Sequence, residues 1–104
     1  SNTAQLTAAG HFYRQKDDWM RRLTAAPDMS VMAKLVGCYL ALRINKGRRY
    51  AFPKQTTIAA DIGVSRATII RAVGELVERQ WIDVEKGARD RRRWAVNNYA
   101  LVLI

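Results

Sequence analysis

Residues 55–79 contain two short amphipathic segments separated by one glycine, and this arrangement constrains the fold more than any other part of the chain. The first segment carries its apolar side chains at Ile58, Ala59 and Ile62. The second carries them at Ile69, Ala72, Val73 and Leu76. Spacings of three and four residues are typical of helices with one buried face. Gly63 supplies the backbone freedom that a tight turn needs, so we predict two helices that cross steeply over a short turn.

The second predicted helix, over residues 65–79, has a polar face near its N-terminus. Ser65 predicts an N-cap, because its hydroxyl can accept a hydrogen bond from the amide of Thr68. The helical period leaves four side chains facing outward, at Arg66, Ala67, Thr68 and Arg71. Arginine can donate two hydrogen bonds to guanine, and small or methyl-bearing side chains can contact a thymine methyl group. We therefore predict that these residues, together with Ser65, contact DNA in the major groove.

The first predicted helix begins near Lys54, directly after Pro53. Amides in the first turn of a helix have no intrahelical partner, and with nearby hydroxyl groups they can hold an anion. The residues at this end are Lys54, Gln55, Thr56 and Thr57. We predict that they contact DNA phosphate, and the alternative is that the two threonines only cap the helix.

A basic hairpin is predicted after the second helix. Residues 81–86 alternate apolar and polar side chains, which indicates a strand, and residues 94–99 indicate a second, looser one. The connecting tip has one acidic residue, Asp90. Its cationic residues are Lys86, Arg89, Arg91, Arg92 and Arg93. Such a tip can follow a phosphate backbone or enter a narrow minor groove, so we expect DNA contact by residues 86–93 rather than a solvated loop.

Two further helices are predicted before this pair. Residues 10–25 carry apolar side chains at helical spacing, whereas residues 1–9 are small and polar and are expected to fray. Pro27 interrupts the helix. Residues 30–44 then form a helix that is apolar over much of its circumference, which places it at the centre of the core.

The predicted fold is therefore α+β and mainly helical, with an extra N-terminal helix, a three-helix core and a C-terminal two-stranded hairpin. We assign residues 1–27 to an N-terminal extension and residues 28–104 to the DNA-binding domain. A chain of 104 residues with 49% hydrophobic content fits one folded globule.

A net charge of +9 favours a polyanionic partner, either nucleic acid or an anionic membrane surface. The longest apolar runs are too short to span a bilayer, and the N-terminus lacks the pattern of a secretory signal, so no membrane partner is expected. Cys38 is the only cysteine, which excludes an intrachain disulfide and fits a reducing compartment. We expect a cytoplasmic protein.

No constellation of residues predicts catalysis, a cofactor or a metal site. His11 is the only histidine and is expected at the surface. Cys38 has no second Cys or His at metal-binding spacing. It lies in an apolar helix, so a buried packing role is expected. Four acidic residues have no evident partners and are interpreted as solvated charges: Asp17, Asp18, Glu75 and Glu78. Three tryptophans are expected to pack in the core rather than stack on bases: Trp19, Trp81 and Trp94.

Part of the sequence resembles bacterial winged helix-turn-helix domains. The resemblance is carried by residues 51–59, 62–68 and 71–76, which include the pattern Gly-Val-Ser-Arg-x-Thr. The resemblance covers about residues 29–101 and includes domains of phage and plasmid replication proteins and of small transcriptional regulators. Two positions depart from the family pattern. Lys54 stands where a serine N-cap is usual, and Gln80 stands where a glycine usually follows the second helix.

The residues and the resemblance together predict sequence-specific binding to double-stranded DNA, in transcriptional regulation. The resemblance also implies a bacterial protein associated with the nucleoid. One alternative is the DNA-binding domain of a phage or plasmid replication initiator, and another is a protein-interaction module built on the same core. A homodimer is expected because such proteins often bind two half-sites, and because the extra helix and the apolar end at residues 101–104 offer surfaces for pairing. That apolar end also predicts a strand or a truncated natural chain.

Overall fold

The computed structural model describes residues 2–45, 47–51, 53–86 and 97–103, with side chains from residue 10 onward except at Lys86 and Asn97. Its elements are α1 (Asn2–Ala25), α2 (Val31–Leu42), α3 (Gln55–Ile62), α4 (Arg66–Glu78), β1 (Ile82–Lys86) and β2 (Asn97–Leu101). Four helices followed by a two-stranded antiparallel hairpin confirm the predicted, mainly helical architecture.

Helix α2 lies at the centre of the core, as predicted. Its buried residues are Ala33, Val36, Gly37, Leu40 and Ala41. Helix α1 packs against it through Phe12, Trp19 and Leu23, and α4 packs against it through the apolar face predicted from its spacing. Burial of these side chains supplies the main favourable free energy of folding, since the stabilisation scales with the apolar area removed from water.

Trp19 joins α1 to the beginning of the hairpin. Its indole Nε1 donates a hydrogen bond of 3.0 Å to the backbone oxygen of Trp81. The two rings meet edge to face, with centroids 5.9 Å apart. Trp19 is fully buried and Trp81 is half-buried, so both have the packing role predicted for them. Trp94 lies outside the described residues.

The N-terminal helix is longer than predicted. It begins at Asn2, whereas residues 1–9 were expected to fray. The physical reason is that propagation of an existing helix is favourable once its nucleus is formed, and alanine, glutamine and leucine in this segment are good helix formers. Asp17 and Asp18 on α1 are exposed, as expected for solvated charges, but the expectation that they have no partners is wrong, because each pairs with an arginine one turn later in the helix.

The hairpin pairs Ile82 with Leu101 at one end and Lys86 with Asn97 at the other. Strand β2 also forms a bridge to Ala51 through two backbone hydrogen bonds with Tyr99, of 2.8 and 2.7 Å. This bridge attaches the segment before α3 to the hairpin. Of the second strand predicted over residues 94–99, the part before Asn97 lies outside the described residues.

Gln80 occupies the position where the family pattern has glycine, and its φ is 63°. Its amide donates to the oxygen of Val77, and the amide of Trp81 donates to that of Leu76. Those bonds satisfy the last carbonyls of α4, as in helix ends that use a left-handed residue. A side chain in this conformation is strained, so the chain turns into β1 at some cost in stability.

Replacing Gly37 with alanine is expected to destabilise the fold by about 1–3 kcal/mol, as overpacked cores do. The added Cβ would overlap Cδ2 of Leu23 and lie 3.2 Å from Cη2 of Trp19 and 3.4 Å from Cδ2 of Leu76. These three side chains are fully buried, so they have little room to move. Urea denaturation of the variant and the wild type measures the difference, and an equal or higher midpoint for the variant would contradict this packing.

Candidate nucleic-acid interface

Gly63 forms the turn between α3 and α4. It caps α3 with a φ of 85°, and its amide donates a hydrogen bond of 2.8 Å to the oxygen of Ala59. A Cβ at this position would meet no atom within 4 Å, so the left-handed backbone conformation, rather than lack of space, requires glycine. The predicted short turn is thus confirmed, and it presents the N-terminus of α4 at the surface.

Ser65 is the N-cap of α4, as predicted. Its Oγ accepts a hydrogen bond of 3.2 Å from the amide of Thr68 and lies 2.9 Å from the Thr68 hydroxyl. Arg71 Nη2 donates a longer hydrogen bond of 3.4 Å to the same hydroxyl. Thr68 is half-buried and belongs to this local network, so it faces outward less than predicted.

The remaining predicted residues of the outward face are exposed, namely Arg66, Ala67 and Arg71. The opposite face of α4 is buried at Ile69, Ala72, Val73 and Leu76. Two further residues lie on the outward face and were missed by the sequence prediction. Ile70 is 43% exposed, and Gly74 is exposed one turn after Arg71. Their spacing from Ala67, by three and seven residues, is the signal that could have identified them.

Lys54 is the N-cap of α3, and its side chain makes no capping hydrogen bond. Lys54, Thr56 and Thr57 are exposed, and Gln55 is half-buried. Within the described part of the chain, neither threonine side chain forms a hydrogen bond, so capping by these hydroxyls is not observed. The first turn of α3 therefore presents free amides, two hydroxyls and an ammonium group to solvent, a set that can hold an anion.

Acidic side chains neutralise arginines elsewhere on the surface. The ion pairs join Arg21 to Asp17, Arg22 to Asp18, Arg43 to Asp61 and Arg79 to Asp28, at 2.9 to 3.4 Å. Glu75 accepts two hydrogen bonds from Ser30, so it too has a partner that was not predicted. Among the described residues, neither Arg66 nor Arg71 forms an ion pair. The N-terminal half of α4 therefore carries two exposed arginines that form no ion pair with any described carboxylate.

Of the basic tip of the hairpin, the structure describes only the backbone of Lys86. Lys86 ends β1 opposite Asn97, which fixes where the tip leaves the sheet. The side chain of Lys86 lies outside the described residues, as do the four predicted arginines of the tip at Arg89, Arg91, Arg92 and Arg93.

No other chemical site is evident in the described residues. They contain no group of three or more His, Cys, Asp or Glu side chains able to hold a metal ion. His11 is exposed on α1. Cys38 is half-buried rather than fully buried, and desolvation raises the pKa of its thiol. None of the described helices is long and apolar enough to cross a membrane.

Comparison with known protein families also points to the region that contains α3 and α4. Residues 28–82 match a family model described as a helix-turn-helix domain. The match includes α2, α3 and α4 and reaches the first residue of β1. No curated protein matches the chain, and neither does any solved structure.

Replacing Lys54 with serine is expected to stabilise the fold by about 0.5–1 kcal/mol, because serine caps a helix and the cation leaves the positive end of the helix dipole. If Lys54 contacts phosphate, the same variant loses roughly one unit of slope in the dependence of log affinity on log salt. Thermal denaturation and duplex titration at several salt concentrations measure both. Higher stability with an unchanged salt slope would remove Lys54 from the interface.

Proposed function

Because the chain belongs to the helix-turn-helix domain family, we propose that it binds double-stranded DNA sequence-specifically, with α4 in the major groove. One observation carries the proposal. Arg66 and Arg71 project from the N-terminal half of α4 without an acidic partner among the described residues. Four other arginines are held in ion pairs, namely Arg21 and Arg22 on α1, Arg43 directly after α2 and Arg79 directly after α4. An arginine that is already held in an ion pair is less free to grip a base or a phosphate.

The three groups of candidate residues have different roles in this proposal. Arg66, Ala67, Ile70 and Arg71 read base edges, by hydrogen bonds to guanine or apolar contact with thymine methyl groups. The first turn of α3 holds a backbone phosphate through its free amides and Lys54. The tip over residues 86–93 follows the backbone or an adjacent minor groove.

The proposed biological role is transcriptional regulation in the bacterial cytoplasm. Initiation of phage or plasmid replication is the alternative within DNA binding, and the arrangement of the bound site distinguishes the two. Inverted repeats fit a dimeric regulator, since the symmetry of the site mirrors that of the protein, whereas tandem direct repeats fit an initiator.

A homodimer remains part of the proposal, but the two surfaces expected to form it, α1 and the apolar end, pack within the chain's own core. Phe12, Trp19 and Leu23 of α1 are buried in the chain's own core, and Leu101 and Leu103 pack against it. Residues 101–103 of the apolar end are therefore half-buried rather than freely exposed. Exposed apolar side chains are found instead on α2, at Val31, Leu35 and Leu42.

Selection from a random duplex library, with the wild type and an Arg71→Ala variant side by side, tests base reading. The wild type is expected to enrich a motif. If Arg71 grips a base, the variant loses about 1–3 kcal/mol on that motif and tolerates other bases at one position.

An Arg21→Ala variant is the matched control, because it removes the same charge from α1 and is expected to keep the wild-type motif. A small and equal loss on every sequence would make Arg71 a phosphate contact. Absence of any enriched motif with folded wild type would reject sequence reading. Salt-insensitive binding to a protein partner would then favour an interaction module.

Replacing Arg91 and Arg92 together with alanine tests the basic tip. Each lost phosphate contact is expected to lower the slope of log affinity against log salt by roughly one unit, because fewer counterions are released on binding. The double variant Arg21→Ala and Arg22→Ala removes equal charge from α1 and serves as the control. A tip variant with the wild-type slope would exclude the tip from the interface.

A further inference from the structure

Gly74 lies in the interior of α4, where the fold itself gives no reason for a glycine. Its φ is not in the left-handed region, unlike that of Gly63, and a Cβ added to it would meet no atom of the described residues within 4 Å. Gly37 is different, since buried side chains leave no room for a Cβ there. A glycine inside a helix is less stable than an alanine, because it loses more conformational entropy on folding. Gly74 therefore weakens α4 without any compensating contact among the described residues.

The position of Gly74 on the helix indicates where the compensation lies. With 3.6 residues per turn, it follows Ala67 by two turns and Arg71 by about one turn, so the three lie on the same side of α4. Ile69 and Leu76, on the opposite side of α4, are fully buried. Gly74 thus faces away from the core, on the surface proposed to enter the major groove.

We propose that Gly74 is a glycine because the sugar-phosphate backbone of duplex DNA packs directly against the main chain of α4 at this point. The inference rests on the proposed DNA-binding function and assigns a new positioning residue to it. At about 1.5 Å of rise per residue, Gly74 lies roughly 10 Å along the helix axis from Ala67. The major groove is about 12 Å wide.

This geometry places the two ends of the contact on different parts of the DNA. When the first turn of α4 reaches base edges, a residue about 10 Å farther along reaches the wall of the groove, where phosphates and sugars lie. A methyl group at Gly74 would hold the wall away from the helix. Because the helix is rigid, that displacement would also withdraw Arg71 from the bases.

The inference predicts that stability and affinity change in opposite directions when Gly74 is replaced by alanine. The thermal midpoint should rise by roughly 3–6 °C, as expected for removal of an exposed helix-interior glycine. Affinity for the selected duplex should fall by about tenfold, which corresponds to about 1.4 kcal/mol. Loss of folding cannot produce this combination, because the variant is the more stable protein.

Gly10 provides a matched control within the same chain. It also lies inside a helix, and within the described part of the chain a Cβ added to it would likewise meet no atom within 4 Å. It is on α1, outside the proposed interface. The Gly10→Ala variant should therefore show a similar rise in thermal midpoint and keep the wild-type affinity.

The experiment measures thermal midpoints and duplex affinities of the wild type, Gly74→Ala, Gly74→Leu and Gly10→Ala at one salt concentration. The inference is supported if affinity falls from glycine to alanine to leucine at position 74 while Gly10→Ala binds like the wild type. Wild-type affinity for Gly74→Ala would overturn the inference and leave the DNA-binding function intact. A lower midpoint for Gly74→Ala would overturn it too, by showing an internal role for the glycine. Failure of the wild type itself to bind duplex would reject the proposed function and the inference with it.

Discussion

The close packing of three helices around Gly37 determines the geometry of the rest of the structure. Side chains of α1 and α4 approach the main chain of α2 there, because no Cβ intervenes. Trp19, which lines this contact, also donates its indole hydrogen to the backbone oxygen of Trp81. The buried Trp19 therefore connects the helical core to Trp81, the residue directly before β1. The outward direction of α4 and the start of the hairpin are both set by this arrangement, although neither Gly37 nor Trp19 belongs to the proposed interface.

Local sequence patterns were sufficient to predict the elements, since each pattern has a local physical cause. The left-handed turn at Gly63, the Ser65 cap and the inward face of α4 follow from backbone conformation, hydrogen bonding and helical period. Contacts between distant residues were not predictable in this way. Lys16 donates to the backbone oxygens of Ala41 and Ile44 at the end of α2, at 3.2 and 2.8 Å. A basic residue on one helix gives no local signal that it satisfies the carbonyls of another.

The candidate interface shows the same division between what local patterns reveal and what folding adds. Arg66 and Arg71 were predicted from their spacing. The ion pairs of Arg79 with Asp28 and of Arg43 with Asp61 join distant residues, so no local pattern predicts them. Ion pairs at the surface contribute little stability, with a typical value of about 0–1 kcal/mol. Their effect here is to neutralise Arg43 and Arg79, whereas the two arginines in the N-terminal half of α4 form no ion pair among the described residues. Net charge alone could not have located the candidate interface, because the cations are distributed along the whole chain.

Three residues at the proposed interface are poor choices for helix stability alone. Lys54 caps α3 without a side-chain hydrogen bond, and Arg66 places a cation in the first turn of α4, at the positive end of the helix dipole. Gly74 lies inside α4, an amphipathic helix, although a Cβ there would contact no described atom. Local preferences and tertiary structure normally agree in a natural sequence, and disagreements concentrate at functional sites. A polyanion bound across this surface would offset the unfavourable charges at Lys54 and Arg66, and its close approach would account for the glycine. The same ligand thus explains three departures that the folded chain by itself does not.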